Sequence, residues 1–235
     1  MRDWLGTAMV DAPVLHERMR VLAALDIILS EEAWLRVHRY HFNIFQPDMA
    51  WGSVDNGAGD HLHVLFANTG TLIKGFDHES PLSPHNREDG EIYPGMYDEV
   101  PESFMKVLRE HEDALNREHV TFCLWQEERA PGWKAGSWME LAMAEEDEVY
   151  ASGGFEFLLG YIESTPEGYI DWAEGYYDIQ EMSLTAVTEI YNNTPVTADL
   201  IRRLNPKRDV LAAMNELQQC GCTVERRETD CTRET

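Results

Sequence analysis

The stretch DNGAGDHLHVLFANTGTLIKGF, residues 55–76, decides the predicted fold. Its first six residues are a strong turn signal, because an Asn-Gly pair and a second glycine tolerate positive φ angles. Residues 61–67 and 71–76 then have the composition of two short strands, with a further turn between them. Short strands joined by tight turns are typical of an antiparallel β-meander, and the sequence predicts one here.

The flanking sequence extends this sheet and adds helices. Further strands are predicted at residues 37–45, 49–54 and 120–125. An amphipathic helix is predicted from Asp11 to Leu29. Residues 77–101 contain four prolines and have no regular pattern. A loop of this length either has a function or covers another part of the domain.

The C-terminal half is predicted to be mainly helical. Thr165-Pro166-Glu167 is a typical helix start, in which an N-cap residue is followed by proline at the first helical position. Gly221 is predicted to end the last helix. Residues 183–191 fit either element, because their β-branched side chains favour a strand and their apolar spacing fits a helix.

The predicted fold class is therefore α+β, an antiparallel β-meander with flanking helices followed by a mainly helical C-terminal half. Residues 1–135 are predicted to form an α+β domain that contains the sheet. Residues 136–235 are predicted to form an acidic, mainly helical part, packed with the first domain as one unit or separate from it.

Charge is the dominant feature of the composition. The 235 residues include 43 acidic and 19 basic side chains, a formal net charge of −24. This charge repels phosphates, which argues against direct binding to nucleic acid or to an anionic membrane. Residues 75–190 carry a net charge of −21, and residues 135–201 contain fourteen acids and no Lys or Arg. Such a region is a solvated helical face, a docking surface for a basic partner or, as a special case of docking, an acidic mimic of DNA.

The sequence predicts a cytoplasmic protein. The N-terminal residues lack a continuous apolar segment, and no apolar run approaches the length of about 18 residues that a membrane span requires. The four cysteines are accordingly expected to be reduced thiols: Cys123, Cys220, Cys222 and Cys231. Cys220 and Cys222 are too close in sequence for easy disulfide geometry, and the C-x-C-x8-C spacing is a poor match to a zinc site.

Four histidines are candidate metal ligands. His61 and His63 lie two residues apart on a predicted strand, so both side chains point to the same face of the sheet. His41 on the first strand and His78 after the fourth complete a ligand set for zinc or another divalent transition metal. The alternative is a polar sheet surface that faces solvent and binds no metal.

Asp77, His78 and Glu79 follow the fourth strand directly. Together with Ser80 they are a candidate acid–base or nucleophilic cluster, but adjacent side chains on an extended chain point apart. A structural role is favoured, in which these side chains bond backbone N–H groups and hold the following loop. The predicted partner-binding residues are Asp77, His78, Glu79, Glu145, Glu146, Asp147 and Glu148.

The central segment resembles the SUKH superfamily. In that pattern an N-G-x-G-D turn, here residues 56–60, leads into a strand, a glycine turn and a strand that ends in an Asp-His pair, here Asp77-His78. A helix beginning near Pro101 fits the same order, and the resemblance covers about residues 55–110. The whole chain also resembles uncharacterised actinobacterial proteins that contain a G-F-D-H-E-S-P segment, here residues 75–81.

The resemblance implies an α+β fold and a binding role, commonly immunity against a co-encoded bacterial toxin. The sequence therefore predicts a non-catalytic bacterial interaction protein that binds a basic partner, such as a toxin, through an acidic surface and needs no cofactor. The alternative is a metal-dependent enzyme that uses His41, His61, His63 and His78. The oligomeric state is left open.

Overall fold

The computed structural model describes residues 9–144 and 152–225, which divide into two compact units. The first unit comprises the described residues within Met1–His16 and Phe42–Ile162, and the second those within Glu17–His41 and Glu163–Thr235. The chain therefore passes between the units three times, whereas the sequence predicts one boundary after residue 135.

The secondary structure is a mixture of helices and short strands. The strands are β1 (His38–Phe42), β2 (Ala50–Asp55), β3 (His61–Ala67), β4 (Gly70–Phe76), β5 (Phe122–Glu127), β6 (Lys134–Ala135), β7 (Val196–Thr197) and β8 (Val224–Glu225). The α-helices are α1 (Ala12–Leu29), α2 (Glu102–Glu110), α3 (Glu112–Leu115), α4 (Trp138–Met143), α5 (Phe155–Leu159), α6 (Pro166–Tyr177), α7 (Leu184–Tyr191), α8 (Ala198–Leu204) and α9 (Val210–Gln219). Short 3-10 helices span Ala33–Leu35 and Pro84–Asn86.

The main sheet of the described residues has six strands, which follow chain order from β1 to β6. Each strand from β2 to β5 pairs antiparallel with the next, so that the last pair is β5 with β6. In the second unit, β7 and β8 form a separate parallel pair. The predicted α+β class and the antiparallel meander are confirmed.

Gly70 shows why the turn between β3 and β4 requires glycine. Its φ is +141°, and a Cβ at this position would lie 2.2 Å from the carbonyl oxygen of Gln126 in β5. Glycine therefore allows the backbones of β4 and β5 to approach each other at the start of their pairing.

The sheet of the first unit has an apolar face and a polar face, and both are buried. Because side chains alternate along a strand, the buried Leu62 and Val64 lie on the apolar face. The polar face carries His61, His63, Lys74 and Cys123, with His63 opposite Lys74 and Lys74 opposite Cys123 in the strand register.

The segment between β4 and β5 covers the polar face. The Lys74 ammonium donates to the carbonyl oxygen of Leu115 at 2.9 Å. The ring of His119 lies 4.9 Å from that of Phe76 and 6.2 Å from that of His61. The part of this segment that carries Leu115 and His119 thus shields a row of ionisable side chains from water.

The second unit is a helical assembly with one buried polar network. Residues of α1 from Glu17 onward supply much of its apolar core, joined by side chains of α6 to α9. Asp26 of α1 is fully buried and accepts hydrogen bonds from the His38 N–H at 2.8 Å and the Tyr169 hydroxyl at 2.8 Å. Nδ1 of His38 lies 3.1 Å from the same carboxylate.

The apolar stretches of the described helices are short. None of them is long and apolar enough to cross a membrane.

Candidate functional site

Helix α6 of the second unit and its C-cap residue together carry four acidic side chains. Glu167, Asp171 and Glu174 are separated by four and three residues, a spacing that places them on a single helix face. Asp178 follows directly as the C-cap residue of the helix, with a φ of +52°. We call these four residues the acidic face. Glu167, Asp171 and Asp178 are exposed, whereas Glu174 is half-buried and accepts the Met182 N–H at 2.8 Å.

Local sequence explains why this helix forms in this orientation. The Thr165 side chain accepts the Gly168 N–H at 3.1 Å, and Pro166 occupies the first helical position, as the sequence predicts. Tyr169 and Ala173, on the opposite side from the acidic face, are fully buried. Because the side of α6 that carries Tyr169 and Ala173 is buried, the acidic face points toward solvent.

No basic side chain of the described residues neutralises the carboxylates of the acidic face. Among the described residues, no ion pair involves its four carboxylates, and the chain has no Lys or Arg from residue 136 to 201. Acids on α2 contrast with this, since Glu102 pairs with Arg109 and Glu110 with Lys106. Like charges three or four residues apart destabilise a helix by about 0.2–0.5 kcal/mol per pair. The chain therefore tolerates a repulsive arrangement on α6 that it avoids on α2.

Asp60 and His78 form the best defined polar pair in the first unit. One carboxylate oxygen of Asp60 accepts the His78 backbone N–H at 2.9 Å and lies 2.6 Å from His78 Nδ1. The other oxygen accepts the Asn56 amide at 2.8 Å. Burial alone would raise the pKa of Asp60, but the hydrogen bonds from Asn56 and His78 outweigh it and lower that pKa. The hydrogen bond to Asp60 in turn raises the pKa of His78.

Asp77 completes a small cluster with this pair. Asp60, Asp77 and His78 each place a ligand atom within 4.8 Å of the other two. Burial raises the pKa of Asp77, although its carboxylate accepts the Glu79 N–H at 3.0 Å. The cluster is able to hold a divalent cation or a proton, but most of the lone pairs of Asp60 are already used by protein donors.

The structure also places the remaining residues of this segment. The Asp77 N–H donates to the Thr121 hydroxyl at 3.0 Å, so the end of β4 is tied to the start of β5. The Ser80 hydroxyl accepts the Leu82 N–H at 3.2 Å, which is a turn contact. The backbone-bonding role predicted for the Asp77-His78 segment is therefore present in the structure. The side chain of Glu79 is 85% exposed.

The predicted histidine ligands fall in different environments. His61 and His63 share one face, as predicted, with ring centroids 5.0 Å apart. His63 is buried, and its Nδ1 accepts the indole N–H of Trp51 at 3.2 Å. His78 belongs instead to the cluster with Asp60 and Asp77, and His41 is an exposed residue of the second unit.

Burial governs the protonation of the polar face. It lowers the pKa of His61 to about 4, that of His63 well below its ordinary value and that of Lys74 to about 7. His119 and His85 contact the same group of rings through Phe76, with ring centroids 4.9 Å and 5.6 Å from it. The sequence does not indicate that His85 and His119 lie near this face, because both residues are far along the chain from His61 and His63.

The acidic run Glu145-Glu146-Asp147-Glu148 lies outside the described residues. Its predicted role in partner binding stays a prediction.

Comparison of the chain with models of protein families, with curated proteins and with solved structures gives no match.

Proposed function

We propose that this is a non-catalytic interaction protein that binds a basic protein partner through the acidic face of α6. The observation that carries the proposal is the absence of any ion pair to Glu167, Asp171, Glu174 and Asp178 within the described residues. A helix face that maintains repulsion without compensation is suited to a ligand that supplies the opposite charge. We place the protein in the cytoplasm on the basis of its sequence.

The chemistry of the face favours a protein as the occupant. Carboxylates spaced along one helix match Lys and Arg side chains of a partner segment, and charge complementarity of this kind accelerates association and fixes register. Phosphate-rich ligands and anionic lipid headgroups are repelled by the same charge. A basic polypeptide is therefore the occupant that the electrostatics select.

The resemblance of residues 55–110 to the SUKH superfamily supports a narrower version of the proposal. Immunity proteins of that superfamily bind bacterial toxins, and toxins that act on nucleic acid need a basic surface. We propose a toxin of this kind as the partner. Asp77, His78, Glu79 and the run from Glu145 to Glu148 remain predicted contributors to the surface.

Neutralising the acidic face is expected to weaken partner capture about tenfold. The test uses the variant E167Q/D171N/D178N and pull-down from the native host at low salt. Loss of three charge contacts of about 0.5 kcal/mol each weakens binding by about tenfold. The wild type should retain a basic protein that elutes as salt rises, since screening shortens the range of exposed charges.

The variant E88Q/E91Q/D113N is the matched control, because it removes three exposed carboxylates from the first unit. It should capture the partner as the wild type does. Urea denaturation should show the acidic-face variant to be at least as stable as the wild type, since it removes like-charge pairs. Equal capture by the two variants would contradict the proposal.

The second candidate function is metal-dependent catalysis, favoured by the convergence of Asp60, Asp77 and His78. This cluster offers carboxylate and imidazole ligands suited to zinc or another divalent transition metal. A metal here would take a ligand atom of His78 and compete with existing hydrogen bonds to Asp60.

Zinc titration calorimetry separates this candidate from the histidine site predicted on the sheet. If the cluster binds zinc, we expect stoichiometric binding that is lost in H78A and D77N and kept in H61A/H63A. Binding that is lost only in H61A/H63A would place the metal on the polar face instead. Heat changes indistinguishable from buffer would remove the metal hypothesis altogether.

A further inference from the structure

Helix α9 ends in a turn that brings two cysteines together in the second unit. Gly221 has a φ of +78°, and the Cys222 N–H donates to the Leu217 carbonyl at 2.9 Å. This is a Schellman turn, which reverses the chain directly after Cys220. As a result, the side chains of Cys220 and Cys222 are close enough for each thiol to shift the pKa of the other. The turn overcomes the separation that makes a C-x-C pair difficult to join in an extended chain.

Cys222 also lines a cavity of about 60 Å³ with Arg20, Asn193 and Thr194. A cavity of about 10–15 Å³ on the same scale holds one water molecule, so this cavity has room for a small ligand of several heavy atoms. The Arg20 guanidinium is held at this position by Asn193 Oδ1 at 2.5 Å and by the Gly221 carbonyl at 3.3 Å. The guanidinium is also ion-paired with the Glu17 carboxylate at 2.5 Å, so the positive charge beside the more exposed of the two thiols is partly compensated.

The two thiols differ in a way that assigns separate roles to them. Cys220 is 2% exposed, whereas Cys222 is half-buried and faces the cavity. The interaction with the Cys220 thiol lowers the pKa of Cys222, and Arg20 lowers it further, against burial and the charge of Glu17, which both raise it. The same interaction, together with burial, raises the pKa of Cys220. A thiolate next to a cation is the reactive form of cysteine.

We propose that Cys220 and Cys222 form a peroxide-reactive dithiol, in which Cys222 attacks hydrogen peroxide and Cys220 resolves the product. This inference is independent of the docking proposal. It rests on the two thiols placed at one helix-ending turn, the neighbouring guanidinium and a cavity with room for the oxidant.

The chemistry consists of two displacements. The Cys222 thiolate attacks one oxygen of hydrogen peroxide, so that an S–O bond forms, the O–O bond breaks and hydroxide leaves, taking up a proton as water. The Cys220 sulfur then attacks the sulfenic sulfur of Cys222. An S–S bond forms, the S–O bond breaks, and the departing hydroxide takes the thiol proton of Cys220 to leave as a second water. Overall, the dithiol loses two electrons and two protons, and the peroxide is reduced to water.

The test treats purified protein with hydrogen peroxide in a C231S background and follows the thiols by intact mass and peptide mapping. We expect loss of two hydrogen atoms, a peptide that contains a Cys220–Cys222 disulfide, and full reversal by a thiol reductant. In C220S the reaction should stop at a sulfenic acid on Cys222, which dimedone traps. In C222S, Cys220 should stay reduced.

Two further variants test the role of the guanidinium. R20Q should slow oxidation at neutral pH by about three- to tenfold, because a rise of one pKa unit lowers the thiolate fraction about tenfold. R18Q changes an arginine two residues away that bonds the Glu163 carbonyl, and it should react as the wild type does. C123S should also leave the rate unchanged, because burial raises the pKa of that thiol to about 12. Equal rates in R20Q and the wild type, or oxidation of Cys220 in C222S, would overturn the proposal.

Discussion

Replacing Lys74 by Met is expected to stabilise the protein at pH 7. The gain in the free energy of unfolding should shrink as the pH rises. Lys74 is fully buried, and burial lowers its pKa from the ordinary 10.5 to about 7. Between these two values the unfolded chain binds the proton and the folded chain does not, so the contribution of Lys74 to stability rises with pH. Below pH 7 the folded protein bears the full cost of the buried charge.

The magnitude follows from the shift in pKa. A difference of 3.5 units corresponds to about 4–5 kcal/mol, from which loss of the hydrogen bond to Leu115 subtracts about 1–3 kcal/mol. K74M should therefore be more stable than the wild type by about 1–3 kcal/mol at pH 7, and by about 2 kcal/mol less at pH 9.

Urea denaturation of both proteins at several pH values measures this effect. The difference between them is the quantity to follow, because burial raises the pKa of Cys123 to about 12 and that of Tyr169 well above its ordinary value, so that ionisation of these groups in the unfolded chain lowers the stability of both proteins at high pH. In both proteins stability should fall from pH 6.5 toward pH 4, because His61 has a pKa of about 4 when folded and takes up a proton first when unfolded. A K74M protein less stable at pH 7 with the same pH profile as the wild type would show that the polar face is hydrated.

Replacing Asp26 by Ala is expected to destabilise the second unit by about 3–5 kcal/mol, the usual cost of removing one partner of a buried charged network. The carboxylate is fully buried and is the shared acceptor for the His38 N–H and the Tyr169 hydroxyl. Without it, both donors lose their acceptor in an environment that water does not reach, and the side chain leaves a void.

Thermal and urea unfolding of D26A and Y169F measures the size of this network. Y169F removes one hydrogen bond and keeps the ring, so it should cost about 1–1.5 kcal/mol. A D26A penalty no larger than that of Y169F would mean that the network contributes little. In D26A, partner capture should be lost only at temperatures where the second unit unfolds.

Much of the sheet is predictable because its signals are local. The turn residues before His61 and the glycine at position 70 fix the meander, and the two-residue spacing of His61 and His63 puts both on one face. The helix at 184–191 is ambiguous by composition alone. Its Ser183 side chain accepts the Ala186 N–H at 3.3 Å, and this cap together with burial of Val187 selects the helix.

The parts that sequence reasoning missed depend on contacts between distant residues. Asp60 and His78 are 18 residues apart, and Asp26 and Tyr169 are 143 apart. No periodicity links such pairs. Covering of the polar face by the segment that carries His119 is likewise a tertiary effect, which explains why the sequence allows a solvent-facing surface there.

The acidic face can be predicted from the sequence only in part. The spacing of Glu167, Asp171, Glu174 and Asp178 is visible in the sequence, but it identifies one face only once the helix boundaries are known. Sequence analysis locates the excess charge by region and singles out residues 145–148. The structure adds that one described helix, together with its C-cap residue, presents four carboxylates that form no ion pair among the described residues.

The salt dependence of the dissociation constant tests the central proposal most directly. The partner captured by the wild type is purified, and its affinity is measured by calorimetry from low to high ionic strength for the wild type, E167Q/D171N/D178N and E88Q/E91Q/D113N. We expect a basic partner, a steep loss of affinity with salt for the wild type and the control, and a weaker, flatter profile for the acidic-face variant. Identical profiles for all three proteins would contradict docking through α6.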